Sequence, residues 1–347
     1  MRIVFLYTEL ASYLLACANK FISDYGGEFY LIHWPINSEA PFVFDKDSKL
    51  SLIDRKKINR KELLQLVEKI NPDLIYCSGW IDKDYLYVCK QFKRKIPVVL
   101  GLDNQWKATL KQKTASLFSK YFLLKYFNTA WVPGASQQTY AKHLGFSDDR
   151  IFSGFYSADV KHYRANISPD KFKNVKRFLY VGRYYDFKGI TDLWSAFIQL
   201  NNEFPNEWEL WCLGTGSIQP IIHPKIKHFG FVQPADMGKF ISDTSIFILP
   251  SRFEPWGVVV HEFAAAGFPL ICSSEVGAAE AFLENGKNGF LFEAGNISEL
   301  KKCIKKIISL NENELLSMGN KSVELAQKIT PEKWANTLMS MIKLGNK

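Results

Sequence analysis

Short apolar runs separated by longer amphipathic stretches recur along the whole chain. Those at 3–7, 29–33, 74–77, 98–102 and 130–132 are rich in β-branched and aromatic residues and too short for helices. They predict buried strands joined by helical crossovers, hence βαβ units and a parallel sheet. A second series begins at 178–181 and continues at 209–213, 227–229, 246–249 and 270–272, with helical patterns around 193–204, 258–266 and 300–310. Between the two series, 163–176 is polar, holds Pro169 and reads as a linker. Thr330-Pro331 then opens a last amphipathic helix through Trp334, Leu338 and Ile342, with proline in the first turn.

The pattern predicts an α/β protein with two Rossmann-like domains, 1–165 and 166–330, and a terminal helix at 331–347. Open sheets of this kind bind ligands at the carboxyl ends of their strands. At 347 residues the chain is long enough for two cores. Its 47% hydrophobic and 23% charged residues exclude a disordered or collagen-like chain. The six cysteines form no C-x-x-C pair and stand near no histidine cluster, so they read as buried thiols of a cytoplasmic protein and no metal site is expected. No apolar run approaches the roughly 18 residues of a membrane span. Residues 3–15 followed by Ala16-Cys17-Ala18 imitate a signal peptide, but Glu9 interrupts the apolar stretch and favours a first strand and helix.

Charge is unevenly distributed. Residues 1–165 hold 24 Lys+Arg against 16 Asp+Glu, and residues 166–347 hold 20 against 19. No acid lies between Asp103 and Asp148, while Lys107, Lys111, Lys113, Lys120 and Lys125 alternate there with Trp106, Leu110, Leu117, Phe118, Tyr121, Phe122 and Tyr126. Such interleaving suits a helix resting on an anionic membrane surface, and equally a core helix with a solvated basic face. Nucleic acid is not an expected partner, because no recognition motif accompanies the lysines.

The second half carries the candidate chemistry. Strand 178–181 runs into Gly182-Arg183, and Lys188-Gly189 precedes a helix, an arrangement that places two cations beside a helix N-terminus and suits a diphosphate. Gly214 and Gly216 end the next strand and allow a close backbone approach to a ligand. Phe229-Gly230-Phe231-Val232 follows with peptide groups that could meet a flat base. Glu254 lies in a loop, Gly257 opens a helix and Glu262 sits about one turn inside it, so both carboxylates can face one pocket. His261 is turned roughly 100° from Glu262 and reads as a packing residue.

This segment resembles the GT-B glycosyltransferases, and within them the retaining family 4, also called glycosyl transferases group 1. Glu254 and Glu262 fit its E-x7-E pattern, followed by Gly267-x-Pro269, Gly277-Ala-Ala-Glu280 and Glu284-Asn-Gly286-Lys-Asn-Gly289. The resemblance is strong over 178–295 and architectural elsewhere. It implies a GT-B fold with a cleft between the two domains, an amino-terminal acceptor domain, a carboxyl-terminal donor domain and a last helix returning to the first. It further implies a metal-independent transferase that needs no prosthetic group and takes a UDP- or GDP-linked sugar as donor. Arg183 and Lys188 would hold the diphosphate, Glu254 the transferred sugar, Glu262 the ribose, and the N–H groups of Trp256, Gly257 and Val258 would complete the cradle. A glycan or lipid-linked acceptor of bacterial surface polysaccharide synthesis is implied, and with it a cytoplasmic protein peripheral to the membrane.

The first half departs from the family pattern. Tyr7-Thr8-Glu9-Leu10-Ala11 stands where many members carry a Gly-Gly loop, and Glu9 is the candidate replacement. Asp103-Asn104-Gln105 stands where many carry a His-Asp pair, so Asp103 is either a substrate-facing residue or the cap of the following helix. Two rival functions share these motifs: a GT-B nucleotide-sugar epimerase, and a non-catalytic subunit that binds nucleotide sugars.

Overall fold

The computed structural model describes residues 1–39, 41–43, 49–164 and 171–345. The chain divides into two compact units. The first comprises residues 1–37, 42–157 and 331–347, and the second residues 38–41 and 158–330. The boundary expected between 165 and 166 lies outside the described residues.

The first unit is built on a sheet of β1 (Arg2–Tyr7), β2 (Glu28–His33), β3 (Leu50–Asp54), β4 (Leu74–Ser78), β5 (Val98–Gly101), β6 (Thr129–Trp131) and β7 (Ile151–Phe152), in the order β3-β2-β1-β4-β5-β6-β7. Every ladder is parallel. Alternate residues of β1 feed different cores: Val4 and Leu6 join one apolar cluster, Ile3 and Phe5 another. A sheet covered on both faces needs apolar side chains at consecutive positions, which is why its strands read as unbroken apolar runs. The last helix, Pro331–Gly345, closes one face. Its Trp334 is buried, with its ring centroid 4.8 Å from that of Trp131 and 5.9 Å from that of Phe5.

The second unit repeats the plan with β8 (Arg177–Val181), β9 (Glu209–Leu213), β10 (Ile226–His228), β11 (Ile246–Leu249), β12 (Leu270–Ser273) and β13 (Gly289–Phe292), ordered β10-β9-β8-β11-β12-β13 and parallel throughout. Strand order reverses direction at β1/β4 in one sheet and at β8/β11 in the other. The carboxyl ends of those pairs are where a doubly wound sheet leaves room for a ligand.

Strands β3, β7 and β13 were not anticipated. β13 opens on Gly289, where a Cβ would lie 1.8 Å from Leu270 O, so close contact with β12 demands the residue that weakens a strand signal. The expected linker is also partly structured. Val160–Arg164 is helical with Tyr163 buried, and Lys171 is buried, while residues 165–170 lie outside the described set.

Candidate functional site

The best-built constellation stands at the carboxyl ends of β8 and β11. After β8 the chain passes Gly182 and the half-buried Arg183, whose Cζ lies 5.7 Å from the Tyr185 ring centroid. It then makes a 3-10 turn, Asp186–Lys188, and reverses at Gly189 with φ +66°. A Cβ at Gly189 would sit 2.2 Å from Pro250 O, so only glycine lets this turn press against the end of β11. That approach brings Lys188 Nζ to 2.5 Å from Glu254 Oε2, with both side chains largely buried at 16% and 11% exposure. Ser251 Oγ donates to the same oxygen at 3.3 Å, and Ser273 Oγ, at the end of β12, donates to Ser251 O at 2.5 Å.

Arg252, which the sequence reading passed over, ties these loops together. Its guanidinium grips both oxygens of the buried Asp192 at 2.9 and 2.8 Å, and Asp186 at 3.0 Å. Asp192 lies in the first turn of helix Ile190–Glu203, and Asp186 begins the turn that ends in Lys188. A planar two-pronged contact of this kind fixes orientation as well as charge, so Arg252 positions Lys188 relative to Glu254.

Gly257, with φ +91°, converts the Glu254 loop into helix Val258–Ala265. A Cβ there would come within 3.0 Å of Glu254 Cγ. Gly277 N and Ala278 N donate to the carbonyls of Glu254 and Trp256 at 3.0 and 2.8 Å, holding the loop open. The Trp256 indole is buried near Phe282, so this residue presents only backbone to the site. One turn into the helix, burial pushes the Glu262 carboxyl up to about 7, partly offset by the Tyr163 hydroxyl hydrogen bond. Tyr163 is a second residue the sequence did not single out. His261 is fully buried: Nδ1 accepts from Ala158 N at 3.0 Å, Nε2 faces Ala326 O at 2.9 Å, and the ring stacks on Phe282. Burial lowers it to about 4, which makes it a neutral packing residue at neutral pH.

The glycines after β9 take a different meaning. A Cβ on Gly214 would lie 2.0 Å from Gly182 O, and one on Gly216 2.5 Å from Tyr184 O. The close approach is therefore made by protein backbone, and these glycines shape the loop that presents Arg183. Val232 is half-buried in the loop after β10.

In the first unit, a cavity of about 250 Å³ opens at the carboxyl ends of β1, β4 and β5. Thr8, Ser78, Trp80, Asp103 and Tyr156 are among its lining residues. Thr8 and Ser78 hydroxyls meet at 3.0 Å, and Tyr156 donates to Asp103 Oδ2 at 3.2 Å. Asp103 is not the cap of the following helix, because Thr109 Oγ1 accepts from Gln112 N at the start of helix Leu110–Leu123. Glu9 is exposed beside this cavity's Thr8.

Helix Leu110–Leu123 separates the two readings of the basic aromatic segment. Leu123 and Phe127 are buried in the core, whereas Leu110, Leu117, Phe118, Tyr121 and Phe122 are 47–82% exposed. Lys107, Lys111, Lys113 and Lys125 are exposed as well, and the Lys120 side chain lies outside the described residues. Among the described residues, no helix is long and apolar enough to cross a membrane. None of them forms a cluster of three or more metal-ligating side chains.

Comparison with known proteins places this geometry. Residues 175–310 match the family of Glycosyl transferases group 1. An alpha-monoglucosyldiacylglycerol synthase of Acholeplasma laidlawii is 28% identical over 158 residues, covering 43% of this chain and 38% of that protein. The sulfoquinovosyl transferase SQD2 of Arabidopsis thaliana is 29% identical over 278 residues, covering 72% of this chain and 51% of the relative. The chain thus spans about half or less of the curated relatives it matches. Among solved structures, Anabaena Alr3699/HepE in complex with UDP superposes with a TM-score of 0.74 at 17% identity, covering 99% of this chain and 100% of the other. The fold is therefore GT-B, two α/β units with parallel sheets, and together with the group 1 match over 175–310 the findings support a GT-B glycosyltransferase.

Proposed function

We propose that this chain is a retaining, family 4 glycosyltransferase that moves a sugar from a UDP- or GDP-linked donor to a glycan or lipid-linked glycan, in bacterial surface polysaccharide synthesis. The observation that carries the reading is the Lys188–Glu254 pair at the β8/β11 switch point, with Glu262 one helical turn beyond Gly257. Lys188 is paired with Glu254 at 2.5 Å. An incoming diphosphate would compete for that ammonium, release the carboxylate to the hydroxyls of the transferred sugar, and gain Arg183 and the backbone N–H groups around Trp256, Gly257 and Val258. Lys188 and Arg183 would then stabilise charge on the departing diphosphate, and Glu262 would accept from the ribose hydroxyls. Gly182, Gly214 and Gly216 shape the loops around the donor, and Val232 would border the base. No prosthetic group or metal enters this scheme.

The solved relative in complex with UDP supports a uridine nucleotide as the first donor to test. Asp103, with Tyr156, would face the acceptor or transferred sugar from the first unit's cavity. The first unit, 1–37, 42–157 and 331–347, would be the acceptor side, and the second, 38–41 and 158–330, the donor side. The exposed apolar face of helix Leu110–Leu123 flanked by Lys107, Lys111, Lys113 and Lys125, with Lys120 in the same segment, would rest on an anionic membrane surface on the cytoplasmic side. A relative named for a glucosyldiacylglycerol supports a lipid acceptor.

The deciding experiment incubates the full chain with radiolabelled UDP- and GDP-sugars and a lipid-linked glycan extract, and follows product together with its anomeric configuration. Retained configuration with loss of product in Lys188→Ala and Glu254→Ala supports the reading. Full activity in both variants refutes the site, and donor binding without transfer favours the binding-subunit rival.

A further inference from the structure

A second cavity, of about 230 Å³, opens at the opposite edge of the first unit's sheet, where β5, β6 and β7 begin. Its lining includes the consecutive cations Lys93, Arg94 and Lys95, joined by Arg150 and Thr129. The turn that carries the three cations is pinned. Asn128 Nδ2 donates to Lys93 O at 3.2 Å while Asn128 Oδ1 accepts from Val98 N at 2.9 Å, and Lys95 N and Ile96 N both donate to Phe92 O. The cations therefore project from a fixed frame. Among the described residues, no carboxylate lines the cavity. Asp149 contacts Arg150 Nε at 3.4 Å in a solvent-exposed pair that screens little charge. Arg94 has no ion-pair partner among the described residues, and Lys93 Nζ is held by Leu124 O. The Thr129 hydroxyl is buried without a hydrogen-bond partner among the described residues.

Four clustered cations, beside which the exposed Asp149 is the one carboxylate paired among the described residues, repel one another until an anion joins them, and two guanidinium forks match the tetrahedral face of a phosphate. We propose that this cavity binds a dianionic phosphate group, carried by a membrane lipid headgroup or by a soluble phosphate monoester. Arg94 and Arg150 supply the forks, Lys95 adds charge, and Met341 and Leu344 give an apolar wall for the carbon next to the ester. The site lies at the amino-terminal ends of the strands, so it is separate from the ligand-binding ends and independent of the reading as a transferase.

The test has two arms on the full chain. Equilibrium dialysis measures uptake of radiolabelled inorganic phosphate and glycerol phosphate, and pelleting measures partition onto phosphatidylcholine vesicles with and without phosphatidate. The Arg94→Ala/Arg150→Ala double variant is expected to lose at least tenfold in affinity, because two charge-assisted contacts are removed. Phosphate held by residues 183–188 is untouched by these substitutions, so only the part lost in the variant is counted. Loss in the vesicle arm assigns a headgroup, and loss in the dialysis arm alone assigns a soluble monoester. Affinity unchanged within twofold in both arms overturns the proposal. Should the double variant melt early, Arg94→Ala/Lys95→Ala changes only exposed turn side chains and is read by the same outcomes.

Discussion

The two units follow one topological plan, yet they furnish the carboxyl ends of their sheets with opposite chemistry. Around β8/β11 the side chains are ionic and braced: Lys188 on Glu254, Arg252 on Asp186 and Asp192, and Glu262 held against its desolvation by Tyr163. Around β1/β4 they are hydroxyls and rings, Thr8, Ser78, Trp80 and Tyr156, with Asp103 among them. Strand order selects where a ligand sits, and the side chains at those ends select what it is. A diphosphate needs fixed positive charge, whereas a sugar ring needs flat apolar faces and hydroxyl partners.

The sharpest way to break this contrast is to remove charge from one end and watch the other. Lys188→Ala is expected to cut kcat/KM by about 10²–10³, the scale for losing a preorganised electrostatic partner of the leaving group. Nucleotide affinity should fall with it in calorimetric titration. Asp103→Asn should leave nucleotide affinity within a factor of two while raising the acceptor KM. An Asp103 variant that loses nucleotide, or a Lys188 variant that keeps it, would reverse the assignment of the two ends.

Glu262 separates function from stability. Its folded-state pKa of about 7 stands above the ordinary 4.5, so the folded chain binds more protons than the unfolded one in that window and this group's contribution to stability falls as pH rises through it. Glu262→Gln is therefore expected to stabilise the chain above pH 7 by about 1–3 kcal/mol and to weaken nucleotide binding about tenfold. The neighbouring His261 has the opposite slope. Its pKa of about 4 against 6.5 means stability is lost as pH falls below 6.5. Melting curves of the wild type, Glu262→Gln and His261→Gln between pH 4 and 8 resolve the two slopes.

The braces supply smaller effects. Gly189→Ala combines a positive φ with a clash against Pro250 O and should cost about 1–3 kcal/mol in chemical denaturation, with a parallel rise in donor KM. Lys171, buried with an amine that has no hydrogen-bond partner among the described residues and sits 3.1 Å from the Phe268 ring centroid, has its pKa lowered by desolvation. Lys171→Met should raise stability by about 1–2 kcal/mol without changing turnover, since burying the amine costs more than burying a thioether.

Both sheets were legible in the sequence because strands covered on two faces leave runs such as 3–7 and 246–249 that solvent-facing strands would interrupt. The E-x7-E spacing of Glu254 and Glu262 was legible because one loop and one helical turn fix it, whereas Lys188, 66 residues from Glu254, was singled out only as a cation beside a helix start and its pairing with Glu254 was not foreseen. Arg252 was not legible, because its partners Asp186 and Asp192 lie 66 and 60 residues away. Tyr163 was hidden in a polar stretch that reads as a linker, and its value comes only from packing beside Glu262. Gly214 and Gly216 carried a real signal, close backbone approach, whose partner is Gly182 and Tyr184 backbone. The basic aromatic segment proved divided, with Leu123 and Phe127 in the core and Phe118 and Tyr121 in solvent, a split that alternating lysines alone do not encode.

The most direct test of the account is calorimetric titration of UDP and GDP into the wild-type chain and into Lys188→Ala, at pH 8 where Glu262 is ionised. Saturable binding of one of them, weakened at least tenfold by the substitution, is the predicted result. Equal affinity in both proteins, or no binding of either nucleotide to the wild type, would contradict it.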